Sequence, residues 1–172
     1  MKLLIVSDIH GSFSNMKEVI VNESKFDKLI ILGDILSGYG TDGYNPEQLA
    51  LLLNLFKNKI MCVRGNCDNY DLDLLEFNVE KIFDTIEVDG KKILFTHGHL
   101  YNISNLPDIN FDVFINGHTH VAKIKNEDGK LFLNPGSISL PRGGNEKTYI
   151  LYDNGVFYLK DLEGNIVNKI NI

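Results

Sequence analysis

Two cysteines, no basic run and no long apolar segment remove most classes of function from consideration. Cys62 and Cys67 are too few for a disulfide scaffold, and without a second pair their spacing does not form a structural zinc site. The net charge is −6 and the pI is near 5.3. With no clustered Lys and Arg and no aromatic-basic stripe, this argues against a nucleic-acid backbone as partner. No apolar run is long enough to span a bilayer, and the apolar opening Met1 to Val6 breaks before Asp8 instead of extending into a signal-peptide core. No membrane partner is expected, and the chain reads as cytoplasmic. It shows no repeat, low-complexity tract or linker. Its 172 residues, 44% apolar and 23% charged, predict one globular domain over 1–172 with a single sizeable core.

What is present alternates at first. Leu3 to Val6 reads as a strand buried on both faces, and 14–22, with Met16, Val19 and Ile20 at helical spacing after a Ser cap, as an amphipathic helix. Leu29 to Leu32 is a second buried strand. The glycine-rich stretch from Ser37 to Tyr44 reads as a loop that would shape what a neighbouring site accepts. Asn45-Pro46-Glu47-Gln48 is a helix start, followed by Leu49, Leu52, Leu53 and Phe56 on one face. Ile60 to Val63 is a third strand, with a short helix over 71–75. The rhythm then changes to hairpins: Ile82 to Val88 and Ile93 to Phe95 flank Asp89-Gly90, suited to a type I′ turn. Further runs are Val113 to Ile115, then Val121 to Ile124 with Leu131 to Leu133 around Asp128-Gly129, and two strands across Asn154-Gly155. The pattern predicts an α/β fold, a four-layer α/β/β/α sandwich of two mixed β-sheets flanked by helices.

The chain has five histidines, and each lies at the end of an apolar run: His10, His97, His99, His118 and His120. Five such runs end in polar clusters, namely Asp8 with His10, Asp34, Asn66, His97, and His118 with His120. Ligands in open α/β folds gather at the carboxyl ends of strands, so these clusters can share one rim. Two carboxylates, one amide and four imidazoles suit Mn²⁺, Fe²⁺ or Zn²⁺ and are too nitrogen-rich for a Ca²⁺ or Mg²⁺ cage. Seven ligands exceed the need of one ion. Two ions about 3.5–4 Å apart that share a ligand fit the count.

These blocks resemble the calcineurin-like metallophosphoesterase family, whose Asp-x-His, Gly-Asp, Gly-Asn-His-Asp/Glu, His and Gly-His-x-His pattern is met in all five places. Gly65-Asn66-Cys67-Asp68, Thr96-His97-Gly98-His99 and Asn134-Pro135-Gly136-Ser137 are most similar to its small YfcE-type phosphodiesterases. The resemblance implies that Asp8, His10 and His120 hold one metal, Asn66, His97 and His118 the other, and that Asp34 bridges them. It implies a phosphodiesterase with two divalent ions, Mn²⁺ foremost with Zn²⁺, Fe²⁺ or Ni²⁺ as alternatives, in which a bridging hydroxide attacks a small phosphodiester. Asp34, Asn66, His99 and Cys67 would then act at the reacting centre. Two divalent ions against two carboxylates leave the centre at roughly +2, attractive to phosphate despite the acidic chain.

One position departs from the family pattern. The residue after the Asn ligand is usually a His thought to protonate the leaving group, and here it is Cys67. A thiol with an ordinary pKa near 8.5 is either a poor proton donor or a small hydrophobic filler. His99 has two readings as well, a phosphate contact or a loop histidine bonded to a neighbouring backbone. Asn66 after Gly65 is also a normal turn pair. Arg142 reads as an exposed turn residue or an anion contact, Asp68 as a group that orients the loop or a ligand, and Tyr39 and Tyr44 as core, interface or substrate-loop residues. The rival functions are a phosphomonoesterase and a non-catalytic scaffold of the Vps29 kind, whose sequence departs from the metal pattern. The hairpin edges near the C-terminus are where two copies would pair as a homo-oligomer.

Overall fold

Leu3, Leu4, Ile5 and Val6 leave no polar face, so the segment is stable only where both sides are covered. In the computed structural model, which describes residues 1–38 and 40–172, all four are fully buried. In chain order the strands are β1 (Leu3–Val6), β2 (Lys28–Ile31), β3 (Ile60–Cys62), β4 (Phe83–Val88), β5 (Lys91–Thr96), β6 (Val113–Asn116), β7 (Lys123–Glu127), β8 (Lys130–Asn134), β9 (Thr148–Asp153), β10 (Val156–Asp161) and β11 (Ile166–Asn171). The helices are α1 (Phe13–Asn22) and α2 (Pro46–Asn54), with a 3₁₀ turn at Leu72–Leu74. One sheet has six strands in the order β11-β10-β9-β1-β2-β3, and the other has five in the order β4-β5-β6-β8-β7. β1, β2 and β3 run parallel, as do β5, β6 and β8. Each sheet therefore has a group of parallel strands whose carboxyl ends face one way.

The period of two along each strand divides the core. Leu3, Ile5, Ile30 and Leu32 face the second sheet, where Ile93, Phe95, Val113, Ile115 and Leu133 meet them. Leu4, Val6, Leu29 and Ile31 face outward and are covered by Met16 and Val19 of α1 and Leu49, Ala50 and Leu53 of α2. The sandwich of two mixed sheets stands as expected. Its fourth layer is thin, because 97–112 contains no helix, being rich in Asn, Asp and Ser and broken by Pro107. There Leu94, Phe114 and Phe132 are covered by Phe111 with Phe83 and Ile109. Among the described residues no helix is long and apolar enough to cross a membrane.

Local signals behaved unevenly. Asn45 caps α2 through its Oδ1, which accepts the Gln48 N–H at 3.1 Å. Ser12 stands at the cap of α1, but its hydroxyl donates to the Asp42 carbonyl and leaves the helix without a side-chain cap. Asp89-Gly90, Asp128-Gly129 and Asn154-Gly155 all have positive φ at both residues, as a type I′ turn requires. The sequence reading missed β11, whose six residues are mostly exposed. An edge strand with few buried side chains leaves a weak apolar signature. Tyr39 lies outside the described residues.

Loss of the one side-chain cap that forms should be measurable. Asn45→Ala is expected to lower stability by about 1 kcal/mol, read as a shift of the denaturant midpoint at unchanged slope. Ser12→Ala, which removes no cap bond, should not produce a capping loss of this kind.

Candidate metal centre

Asp8 and His10 follow β1, Asp34 follows β2, Asn66 follows β3, His97 follows β5, and His118 and His120 follow β6. The loops after β1 and β2 are joined by backbone bonds, Asp8 N–H to the Gly33 carbonyl at 3.2 Å, His10 N–H to Asp34 at 2.9 Å and Gly11 N–H to Ile35 at 2.8 Å. Gly117 N–H donates to the His97 carbonyl at 2.8 Å and joins the loops after β5 and β6. Asp8 links the two sheets, since its Oδ2 accepts the Ser7 hydroxyl at 2.6 Å and the His118 N–H at 3.0 Å. Its carbonyl accepts the Ser137 and Ser139 hydroxyls at 2.7 and 3.0 Å.

These loops turn sharply at residues that carry side chains. Asp8, His10, Asp34, His118 and His120 have φ of 53°, 48°, 52°, 66° and 59°, in a region that non-glycine residues seldom adopt and that collects at functional sites. At Gly65 the constraint is space, because a Cβ there would overlap the Asp34 carboxylate.

The side chains converge tightly. His120 Nε2 is 3.2 Å from Asp8 Oδ1 and 3.4 Å from His10 Nε2. Asp34 Oδ2 lies 3.8 Å from His10 Nε2 and 3.6 Å from His97 Nε2, between the two halves of the cluster. His97 Nε2 is 2.9 Å from Asn66 Oδ1 and 3.2 Å from His118 Nδ1. Three of the imidazoles are oriented from behind: Nδ1–H of His10 donates to the Ser37 carbonyl at 2.7 Å, that of His97 to Leu32 at 2.6 Å and that of His120 to Leu140 at 2.6 Å. A carbonyl only accepts, so each Nδ1 carries the proton and each neutral ring presents a bare Nε2 lone pair to the centre. The close contacts among these Nε2 atoms and the carboxylates join acceptor to acceptor. Only a proton or a cation makes them attractive.

That is the observation against which a metal can be tested, and the residues fit one. Asp8 Oδ1 is buried with no hydrogen-bond partner. Asp8, His10 and His120 offer three ligand atoms within 4.8 Å of one another, and so do Asp8, Asp34 and His97. Imidazole, carboxylate and amide donors, with ring N–H groups held by carbonyls, are what divalent transition ions take.

Electrostatics in the metal-free chain follow from the same crowding. Burial pushes the Asp8 carboxyl up, but His120 and His97 pull it below the ordinary carboxylate value. Burial pulls His120 down, yet Asp8 and the Leu140 carbonyl hold it above the ordinary imidazole value. Burial, then the charges of neighbouring imidazoles, lowers His118 and His99. Burial and the Asp34 carboxylate push the Cys67 thiol up to about 12.

The remaining candidates are placed as follows. His99 lies beside His97 at a ring separation of 5.2 Å, with its Nδ1 buried and unpartnered rather than bonded to a neighbouring backbone. Cys67 donates its N–H to Asp34 Oδ1 at 2.8 Å. Asp68 is buried and accepts the backbone N–H groups of Asp34, Ile35 and Gly65, each at 2.8 Å. It therefore binds the loops after β2 and β3 together. Arg142 is exposed, though near enough for its charge to act on His120. Sequence reasoning gave no role to Ser7, Ser139 or the carbonyls of Leu32, Ser37 and Leu140; a backbone acceptor has no residue signature. Asn134 Nδ2 donates to the Gly117 carbonyl at 2.9 Å, which gives the Asn-Pro-Gly-Ser motif its place.

Residues 1–155 match the family model described as the calcineurin-like phosphoesterase superfamily domain. The chain is 39% identical over 166 residues to the phosphodiesterase YfcE of Escherichia coli K12, covering 91% of this chain and 89% of that protein. The solved structure of E. coli Yfce, described as a phosphoesterase, superimposes with a TM-score of 0.92 at 35% identity over 100% of both chains. Vps29 from Cryptosporidium parvum superimposes with a TM-score of 0.68 at 19% identity over 99% of this chain and 98% of that one, a likeness of fold alone.

The raised His120 fixes the sign of a pH effect. A proton held more tightly than in the unfolded chain stabilises the metal-free protein below the ordinary imidazole pKa, and that help is lost as pH rises through the raised value. A metal bound at His120 would take the place of that proton. Added Mn²⁺ at about a hundred times its Kd should stabilise the protein by about 2.7 kcal/mol. The thermal shift should be larger at about pH 8 than at about pH 6. Asp8→Asn should abolish it, and an unchanged shift in that variant would exclude Asp8 as a ligand.

Proposed function

The chain belongs to the calcineurin-like phosphoesterase superfamily, and from that premise we propose that it is a metal-dependent phosphodiesterase acting on a small phosphodiester. The observation that carries the reading is the set of inward-facing acceptors, His10, His97 and His120 Nε2 with Asp8 Oδ1, that have no donor among themselves. Asp8, His10 and His120 would hold one ion, Asn66, His97 and His118 the other, and Asp34 would span both. Two divalent ions, Mn²⁺ foremost, would supply there a water activated as nucleophile near neutral pH and a Lewis acid at the phosphate oxygens.

The chain's own residues do the rest. Ser37, Leu32 and Leu140 carbonyls keep three imidazoles from turning, so the phosphate meets a rigid wall. His99, neutral because its pKa is lowered by burial and by His97 and His118, offers one N–H to a phosphate oxygen. The Cys67 thiol, which burial and the Asp34 carboxylate push up in the metal-free chain, is a poor proton donor to a leaving alkoxide. Arms that leave as stable anions are therefore favoured over alkoxides.

Bis(p-nitrophenyl) phosphate should release nitrophenol with Mn²⁺ and not after chelation, and Asp34→Asn should lower kcat/KM at least a hundredfold. Hydrolysis that survives chelation would sink the metal reading. Cys67→His should raise kcat/KM on alkyl diesters relative to aryl ones, toward the factor of about 10²–10⁴ that a general acid supplies. No gain on alkyl arms would remove the role assigned to this position.

A further inference from the structure

A cavity of about 540 Å³ opens beside the metal centre, within the range of roughly 300–1,000 Å³ typical of small-molecule sites. His10, Asn66 and Cys67, which also face the metal centre, line this cavity, so a phosphate held at the centre would have room for one ester arm in it. Tyr44, Tyr70 and Leu140 line it as well. Tyr70 is 74% exposed. Its ring is therefore accessible to a group that occupies the cavity. Among the described residues no Lys or Arg lines the cavity, and the one carboxylate is that of Asp71. A second phosphate on the arm would face that carboxylate with no cation to answer it. An alkyl arm would leave the ring faces wet, whereas a flat ring gains contact with them.

We propose that this cavity is the subsite for one ester arm of the substrate, that it selects a neutral planar aromatic arm, aryl or nucleoside, over an alkyl or phosphorylated one, and that Tyr70 and Tyr44 determine this selection. The inference rests on the phosphodiesterase reading above for its substrate class. It does not require turnover to be tested.

The test is calorimetric titration of the Mn²⁺-loaded protein with methylphosphonate monoesters, which share one anionic head and differ in the arm. Phenyl methylphosphonate and thymidine 5′-methylphosphonate should bind about tenfold tighter than ethyl methylphosphonate, a factor that stacking on one aromatic can supply. Tyr70→Ala should remove most of that advantage and Tyr70→Phe should keep it, while an added 3′-phosphate on the thymidine arm should weaken binding. A phenyl advantage without a thymidine one would confine the subsite to aryl arms and overturn its nucleoside half. Equal affinity for all arms, or a preference that survives Tyr70→Ala, would overturn the subsite. Hydrolysis of bis(p-nitrophenyl) phosphate, measured in parallel, separates the two readings. Turnover without arm preference leaves the enzyme and removes the subsite; preference without turnover leaves the subsite and removes the enzyme.

Discussion

Everything at the rim follows from three hydrogen bonds behind the imidazoles. The carbonyls of Ser37, Leu32 and Leu140 each take the Nδ1 proton of one histidine, at 2.6–2.7 Å. Because the backbone fixes the tautomer of these three, their neutral rings cannot donate to one another. His10 and His120 face each other through two lone pairs at 3.4 Å, and His97 faces Asn66 Oδ1 at 2.9 Å. In an ordinary polar cluster donors and acceptors alternate. Here the acceptors accumulate, and what is missing is positive charge.

Holding such a cluster together has consequences for the backbone. Five of the converging residues sit at positive φ, a conformation that costs on the order of 1–3 kcal/mol for a residue with a side chain and survives only where the surroundings dictate it. The surroundings do so through buried hydrogen bonds. Asp68 draws three N–H groups from two loops onto one carboxylate, and Ser137 and Ser139 close on the Asp8 carbonyl. Gly65 is obligatory for a different reason, since the Asp34 carboxylate occupies the volume that any Cβ would need. The two sheets matter because their parallel strands end on the same side, so that β1, β2 and β3 can contribute to one centre with β5 and β6.

Much of this was legible in the residues, and the illegible parts have physical reasons. Leu3 to Val6 announces a doubly buried strand because nothing in it tolerates water, and each hairpin is marked by Asp-Gly or Asn-Gly, residues that accept positive φ at low cost. The polar clusters at strand ends stood out because Asp8, Asp34 and His118 interrupt apolar runs. The thin outer layer did not stand out, since Ile109 and Phe111 in an irregular segment have no period to read. Nor did β11, whose exposed face carries no apolar alternation. Ser12 shows the limit of a cap signal: the residue type was right, but its hydroxyl is turned to donate to the Asp42 carbonyl and its oxygen accepts no helix N–H. The tautomers were out of reach altogether, because a carbonyl 20 to 65 residues away leaves no trace in the identity of its residue.

The same electrostatics bear on how a substrate is recognised. An uncompensated buried acceptor costs about 1–3 kcal/mol, against a total stability of roughly 5–15 kcal/mol. Asp8 Oδ1 is such an acceptor, a cost without return in a scaffold that docks partners through its outer surface, and it has an evident use where a cation binds. Yet the chain as a whole carries a net charge of −6, so a phosphate ester would be repelled at distance and attracted only close in. With a screening length of about 8 Å at physiological salt, the attraction of divalent ions bound at the centre would not reach far beyond the rim. Affinity would then have to come from surfaces that touch the substrate, which would make the wall beside Cys67, uncharged apart from Asp71, as much a part of recognition as the charge at the centre.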